Sequence, residues 1–256
     1  MPRSPRKDHE GAWQHAMNRG IDRQDIFHSD DDRQIFYDCL AAAMPRYGVQ
    51  IHAWCLLSNH FHLLPFSESG KLSDAMRFLG GRFTQRINYR DDRDGPIFRG
   101  RFTSVAVESD AHLVRTSRYI HRNPVEAGLA AEPWDWQWSS AQAYLGLVQE
   151  PAWLHTEAIL EMFGPQGERQ KYREFLGEET DAATRAAYAD WQGCALGSDP
   201  QGLTPRPSIQ APATSHSGCW IRRPAAGPRR HQYMRLGSDP AGLTPWHTLP
   251  IPYVKR

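Results

Sequence analysis

The chain predicts an α+β fold: an antiparallel sheet with helices on one face and an open face for a strand-like ligand, then a small helical extension and a tail. Three observations predict it. Elements in the first 123 residues run β-α-β-β-α-β-α, the order of a mixed sandwich and not of a parallel βαβ array. Apolar positions repeat at period two in the strands and at 3.6 in the helices. Composition then changes at about residue 190: Lys plus Arg against Asp plus Glu is 22 to 27 before it and 8 to 2 after it. The last 66 residues also hold 10 of the 19 prolines and 7 of the 20 glycines, too little apolar surface per residue to offset chain entropy. A tail over 191–256 is therefore expected to be disordered.

In chain order, "AWQHAMNRG" (12–20) reads as a strand closed by an Asn-Arg-Gly turn, and "DDDRQIFYDCLAAAMPRYG" (30–48) as a helix with acidic residues at its positive end. Ile35, Phe36, Cys39, Leu40 and Ala43 fall on one face of it. Residues 49–66 form two strands joined by a Ser-Asn turn. A helix over 71–90 spaces Arg82, Arg86 and Arg90 four apart as a basic stripe. A strand over 101–109 leads into a helix over 110–123, with Ser109 as N-cap and Pro124 just beyond its end. "PWDWQWSSAQAYLG" (133–146) lays aromatic residues over one side and ends in a short helix. Small helices around "TEAILEMF" and "ERQKYREFL" fill an extension over 151–190.

Several function classes drop out. No apolar run approaches the roughly 20 residues of a membrane span, and "MPRSPRKDHE" lacks the apolar segment of a secretion signal, so a cytoplasmic, membrane-free protein is expected. Cys39, Cys55, Cys194 and Cys219 lack Cys-x-x-Cys spacing, which argues against a zinc knuckle or a disulfide framework.

Two histidines carry the first chemical signal. In "WCLLSNHFHLLPF" (54–66), His60 and His62 share one strand face while Phe61 and Leu63 take the other. Such a pair is either two hydrogen-bonded histidines at a sheet edge or a two-toothed metal claw that lacks its remaining ligands. In "RYIHRNPVEAGL", Tyr119 and Asn123 share a helix face: a core tyrosine with a helix-end asparagine, or a reactive pair. Arg77, Arg82, Arg86, Arg90, Arg99 and Arg101, interleaved with Phe78, Phe83, Tyr89, Phe98 and Phe102, could grip phosphates and stack bases.

The ordered set "NRGIDRQDIF", "HAWCLLSNHFHLL", "LSDAMRFL", "FRGRF", "RYIHRNPVEAGL" and "WSSAQAYLG" closely resembles the REP-associated tyrosine transposases, relatives of the single-tyrosine HUH transposases, over about residues 11–147. The resemblance implies an HUH-type, ferredoxin- or RRM-like sandwich forming a catalytic domain over 1–150. It implies His60, His62 and Asn123 as ligands of Mg²⁺ or Mn²⁺, Tyr119 as the nucleophile, and single-stranded REP-type DNA hairpins as substrate. It also implies a monomer acting at the bacterial nucleoid. Ser58 and Pro65 depart from the family's usual proline and apolar strand residue. Pro65 removes a ladder hydrogen bond, tolerable at a strand end and damaging inside it, so a catalytically weakened hairpin-binding regulator is the alternative.

"LGSDPQGLTP" (196–205) recurs as "LGSDPAGLTP" (236–245) without the periodicity of a folded repeat. Its codons can be chosen so that each copy encodes a DNA hairpin, and a reading frame running into a REP-like palindrome is one expected origin. A flexible basic linker that adds phosphate affinity is the other.

Overall fold

The computed structural model describes residues 8–180 and, beyond them, residues 182, 184, 186 and 188. The tail over 191–256, its repeat, Cys194 and Cys219 lie outside the described residues.

Four strands, β1 (Ala12–Arg19), β2 (Val49–Leu56), β3 (His60–Ser67) and β4 (Thr103–Ala106), form one antiparallel sheet in the order β2-β3-β1-β4. The Ser58–Asn59 turn closes the β2–β3 hairpin as expected, with the Leu57 amide donating to the His60 carbonyl at 2.9 Å. β4 is shorter than the strand expected over 101–109.

Helix α1 (Asp30–Arg46) starts where a capping box forces it to. The Ser29 hydroxyl accepts from the Asp32 amide and the Asp32 carboxylate accepts from the Ser29 amide, a device worth about 1 kcal/mol. Its apolar stripe and that of α2 (Leu72–Arg90) pack on one face of the sheet. There Phe36, Cys39, Leu40, Leu79 and Phe83 meet Ile51, Trp54, Leu56, Phe61 and Leu63.

Helix α3 (Asp110–Glu126) departs from expectation in two ways. It runs through Pro124 rather than stopping before it, because the last turn keeps later bonds: the Ala127 amide donates to the Asn123 carbonyl and the Leu129 amide to that of Pro124. It also covers the other face of the sheet, packing Leu113, Tyr119 and Ile120 against Ala53, Cys55 and Leu64. Helices therefore lie on both faces, two on one and α3 on the other, and the face expected to be open is partly covered. Ser109 caps α3 as its sequence predicts, accepting from the His112 amide at 3.3 Å.

The segment after α3 runs along the free edge of β2, where the Leu56 amide donates to the Trp138 carbonyl and the Ser140 amide to that of Trp54. Trp136 donates to the Leu56 carbonyl and Trp138 to Asp30, and α4 (Ala141–Tyr144) buries Tyr144. Ile159 and Leu160 of α5 (Glu157–Leu160), and Tyr172 and Leu176 of α6 (Glu168–Gly177), enter the cluster that holds Tyr119 and Ile120. The extension is thus built onto α3.

Pro65 lies inside β3, which is itself an inner strand. The pairing absorbs it with a bulge: Ile51 faces Pro65 and Ala53 faces Leu64, so His52 of β2 has no counterpart. A proline that cannot donate to a ladder is tolerated where the ladder is already interrupted.

Candidate active site

The strand phase of β3 and the helix phase of α3 decide which side chains meet. His60, His62 and Leu64 share the face on which α3 lies, and Tyr119 and Asn123, one turn apart, come down on it. The rings of His62 and Tyr119 sit at 5.7 Å and nearly perpendicular, while the Asn123 side chain lies beside His60. The four residues singled out from sequence are brought together by two elements far apart in the chain.

His60 Nδ1 lies 2.6 Å from the Asn59 amide oxygen, an acceptor, so the proton sits on Nδ1 and Nε2 carries the lone pair. His62 Nδ1 lies 2.9 Å from His15 Nε2, and His62 Nε2 is buried without a hydrogen-bond partner among the described residues. Burial and the Arg19 charge, opposed by the neighbouring Asn123 side chain, lower the His60 pKa to about 4. Burial and the neighbouring His60 and His15 hold His62 well below its ordinary value, and burial with His112 takes His15 to about 3. All three rings are neutral at pH 7, the state in which imidazole ligates a metal.

Among the described residues, no group of three or more His, Cys, Asp or Glu is placed to hold a metal ion. The donor set is two imidazoles and one amide. An orphaned, buried His62 Nε2 beside His60 and Asn123 fits a divalent cation, and an oxygen-seeking ion would complete its shell with water or phosphate oxygen.

Three neighbours of the site were not legible in the sequence. His15, fully buried on β1, is wedged against His62, Tyr119 and Tyr188. Arg19 faces His60 across the β1–β3 ladder. Tyr188 stacks on Tyr119 at 4.4 Å and 25°, with its hydroxyl tied to Thr116 and His112, and Tyr119 is left 1% exposed. The only sequence signal for the first two was a polar residue on the same strand face as other polar residues; Tyr188 gave none.

His121, two residues from Tyr119, points elsewhere as its helix position predicts: its ring bonds Tyr172 at 2.8 Å and Ser140 at 2.6 Å. It locks α3 to the extension and to the β2 side.

The arginines divide into two groups. Those of α2 lie on the side of the sheet away from the histidines: Arg77 pairs with Asp74, Arg82 lies over Phe78, Arg86 reaches the Cys39 sulfur and Arg90 bridges Asp32 and Asp91. Exposed Arg99 and Arg101 flank the end of β1, where the Arg99 amide donates to the Arg19 carbonyl and Asn18 donates to that of Gly100. Of the interleaved aromatic residues, Phe83, Phe98 and Phe102 are buried in the apolar core and are not surfaces for stacking bases; Tyr89 is 91% exposed. Helical spacing alone did not reveal that Phe83 belongs to the core stripe of α2.

A family model described as transposase, IS200-like, matches residues 9–123, a span that ends at Asn123 and includes both histidines and Tyr119. Over this stretch the chain is similar to IS200-like transposases. Among solved structures, a REP-associated tyrosine transposase bound to a REP hairpin shares its fold. It is 20% identical, with a TM-score of 0.50, over 60% of this chain and 92% of its own. A putative transposase from Deinococcus radiodurans R1 is 14% identical over 50% of this chain and 99% of its own, with a TM-score of 0.34. No curated protein matches the chain. No described helix of the chain is long and apolar enough to cross a membrane.

Proposed function

We propose that this domain acts as a transposase that cleaves and rejoins single-stranded DNA folded into a REP-type hairpin, through a covalent link to Tyr119. The observation that carries the reading is the convergence of Tyr119 and Asn123 of α3 with His60 and His62 of β3. The hairpin substrate is suggested by the fold relative, which was solved bound to a REP hairpin.

The Tyr119 oxygen attacks phosphorus, forming a phosphotyrosine bond, and the bond from phosphorus to the 3′-oxygen of the upstream nucleotide breaks. The phenol proton goes to water and the departing 3′-oxygen takes one up. The products are a 5′-phosphotyrosine and a free 3′-hydroxyl. A phosphodiester replaces a phosphodiester, so a second 3′-hydroxyl can reverse the step without an outside energy source. His60, His62 and Asn123 would hold Mg²⁺ or Mn²⁺, which would polarise the scissile phosphate and offset its growing negative charge. Tyr119, 1% exposed, must be uncovered for phosphorus to come within bonding distance of its oxygen.

The test is incubation of a hairpin labelled at its 3′ end with Mn²⁺, since only the downstream fragment stays on the protein. Label should become covalently attached, and mass spectrometry should find the nucleotide on Tyr119; attachment to Tyr37, Tyr47 or Tyr89 would overturn the assignment. Tyr119→Phe keeps the ring and should bind hairpin without forming adduct. His60→Ala or His62→Ala should abolish cleavage with little loss of hairpin affinity, because phosphate and base contacts provide most of the binding.

The 1% exposure of Tyr119 favours one other reading, a hairpin-binding regulator that has lost cleavage. Hairpin binding with no covalent label from the unmutated chain would establish it.

A further inference from the structure

We propose that Arg19 is a catalytic residue of this site, its guanidinium engaging the non-bridging oxygens of the scissile phosphate. The inference rests on the strand-cleaving function proposed above and adds to it a residue outside the His60, His62, Asn123 and Tyr119 set.

Position comes first. Arg19 is the direct cross-strand partner of His60, and residues opposed in an antiparallel ladder project from the same face with their β-carbons about 5 Å apart. Its backbone is pinned on both sides. The Arg19 amide donates to Asn18 Oδ1 at 2.9 Å, its carbonyl accepts from the Arg99 amide at 3.0 Å, and the Gly20 amide donates to the Asn59 carbonyl at 2.9 Å. Residue 20 has to be glycine for this turn, since a β-carbon there would lie 2.0 Å from the Gln24 carbonyl oxygen. The turn therefore delivers one long cationic side chain to the start of β3, next to His60.

The second observation is that this cation is unspent. Arg33, Arg77, Arg90, Arg118 and Arg169 each reach a carboxylate. Arg19 makes no ion pair among the described residues, and its Nη1 is buried without an acceptor. Buried donors are rarely left unmatched without a reason, and a guanidinium fork is shaped for two oxygens of one phosphate.

Chemistry supplies the third. His60, His62, His15, Asn123 and Tyr119 bring no positive charge of their own, whereas in-line attack builds negative charge on the non-bridging oxygens. A fixed cation at that point acts where charge develops and gives up no proton.

The experiment uses the full chain, Mn²⁺ and a 3′-labelled hairpin at saturating protein, with adduct formation followed in a single turnover. Arg19→Gln should slow the step by about 100-fold or more while hairpin affinity stays nearly unchanged, and Arg19→Lys should fall between. A second hairpin carries a methylphosphonate at the scissile position and so lacks the charge that the guanidinium meets. On it, Arg19→Gln should lose much less relative to the unmutated chain. Equal slowing on both substrates would overturn the proposal in favour of a role in shaping the turn, and an unchanged rate on the phosphate hairpin would overturn it outright. Circular dichroism checks folding, and Arg19→Lys carries the comparison should the glutamine variant unfold. Adduct that disappears in Tyr119→Phe but persists at full rate in Arg19→Gln removes Arg19 alone. Adduct that survives Tyr119→Phe removes the site reading itself, and absence of adduct from the unmutated chain removes both.

Discussion

Strand β3 supplies both faces of the sheet, and the two faces are built on different terms. Phe61 and Leu63 enter a cluster in which Phe27, Phe36, Phe83 and Phe98 pack ring against ring, held by area and shape. On the opposite side, His60 and His62 join His15, Tyr119, Tyr188, Asn123 and, further along α3, the His121–Tyr172–Ser140 chain, where nearly every ring carries a nitrogen or oxygen that needs a partner. The first face can be repacked by any side chains of the right volume. The second ties its stability to protonation, and that dependence accompanies the side chains suited to chemistry.

The largest effect should come from breaking the apolar face. Phe36→Ala removes a fully buried ring and should cost about 3–5 kcal/mol in urea unfolding, while the rate of adduct formation by the folded fraction stays unchanged. A loss of adduct formation at full folding would show that the two faces are not separable.

Acid should act on the other face. Burial takes His121 from 6.5 to about 3, so between those values the unfolded chain binds a proton that the folded chain refuses. Stability then rises with pH across this window and is lost as pH falls, about 2 kcal/mol at pH 5 for this ring alone. Unfolding curves at pH 7 and pH 5 measure the loss, and in His121→Gln the pH dependence should be shallower by this one proton. Equal dependence in both proteins would mean that His121 is protonated in the native state.

The smallest effect separates the arginines. Arg99→Ala with Arg101→Ala should weaken hairpin binding and reduce its salt slope by about one for each phosphate that is no longer neutralised. Arg77→Ala, whose exposed pair with Asp74 contributes less than about 0.5 kcal/mol, should leave both binding and stability alone. Equal losses from the two groups would place DNA on the α2 side.

Periodicity made the element order legible, and alternation on β3 made His60 and His62 companions. What it could not give was anything that depends on a partner strand or on the far side of a helix. Pro65 reads as damaging inside a strand until the unpaired His52 opposite it is known. Pro124 reads as a stop because the bonds that carry the last turn past it come from residues outside the helix. His15 and Arg19 become notable only through register, since each acquires its neighbour, His62 or His60, from more than 40 residues away. Phe98 and Phe102, framed by arginines in sequence, point into the core in space.

The bulge at His52 also sets the frame in which β2 is read. Val49 and Ile51 before it and Trp54 and Leu56 after it enter the same apolar cluster, although the first two are odd-numbered and the last two even. Ala53 and Cys55 accordingly face α3. One supernumerary residue works as a parity switch, exchanging inside for outside halfway along a strand. Removing it is a frameshift in three dimensions: Trp54 and Leu56 would be turned toward the histidines, and Ala53 and Cys55 into a space shaped for indole and isobutyl groups.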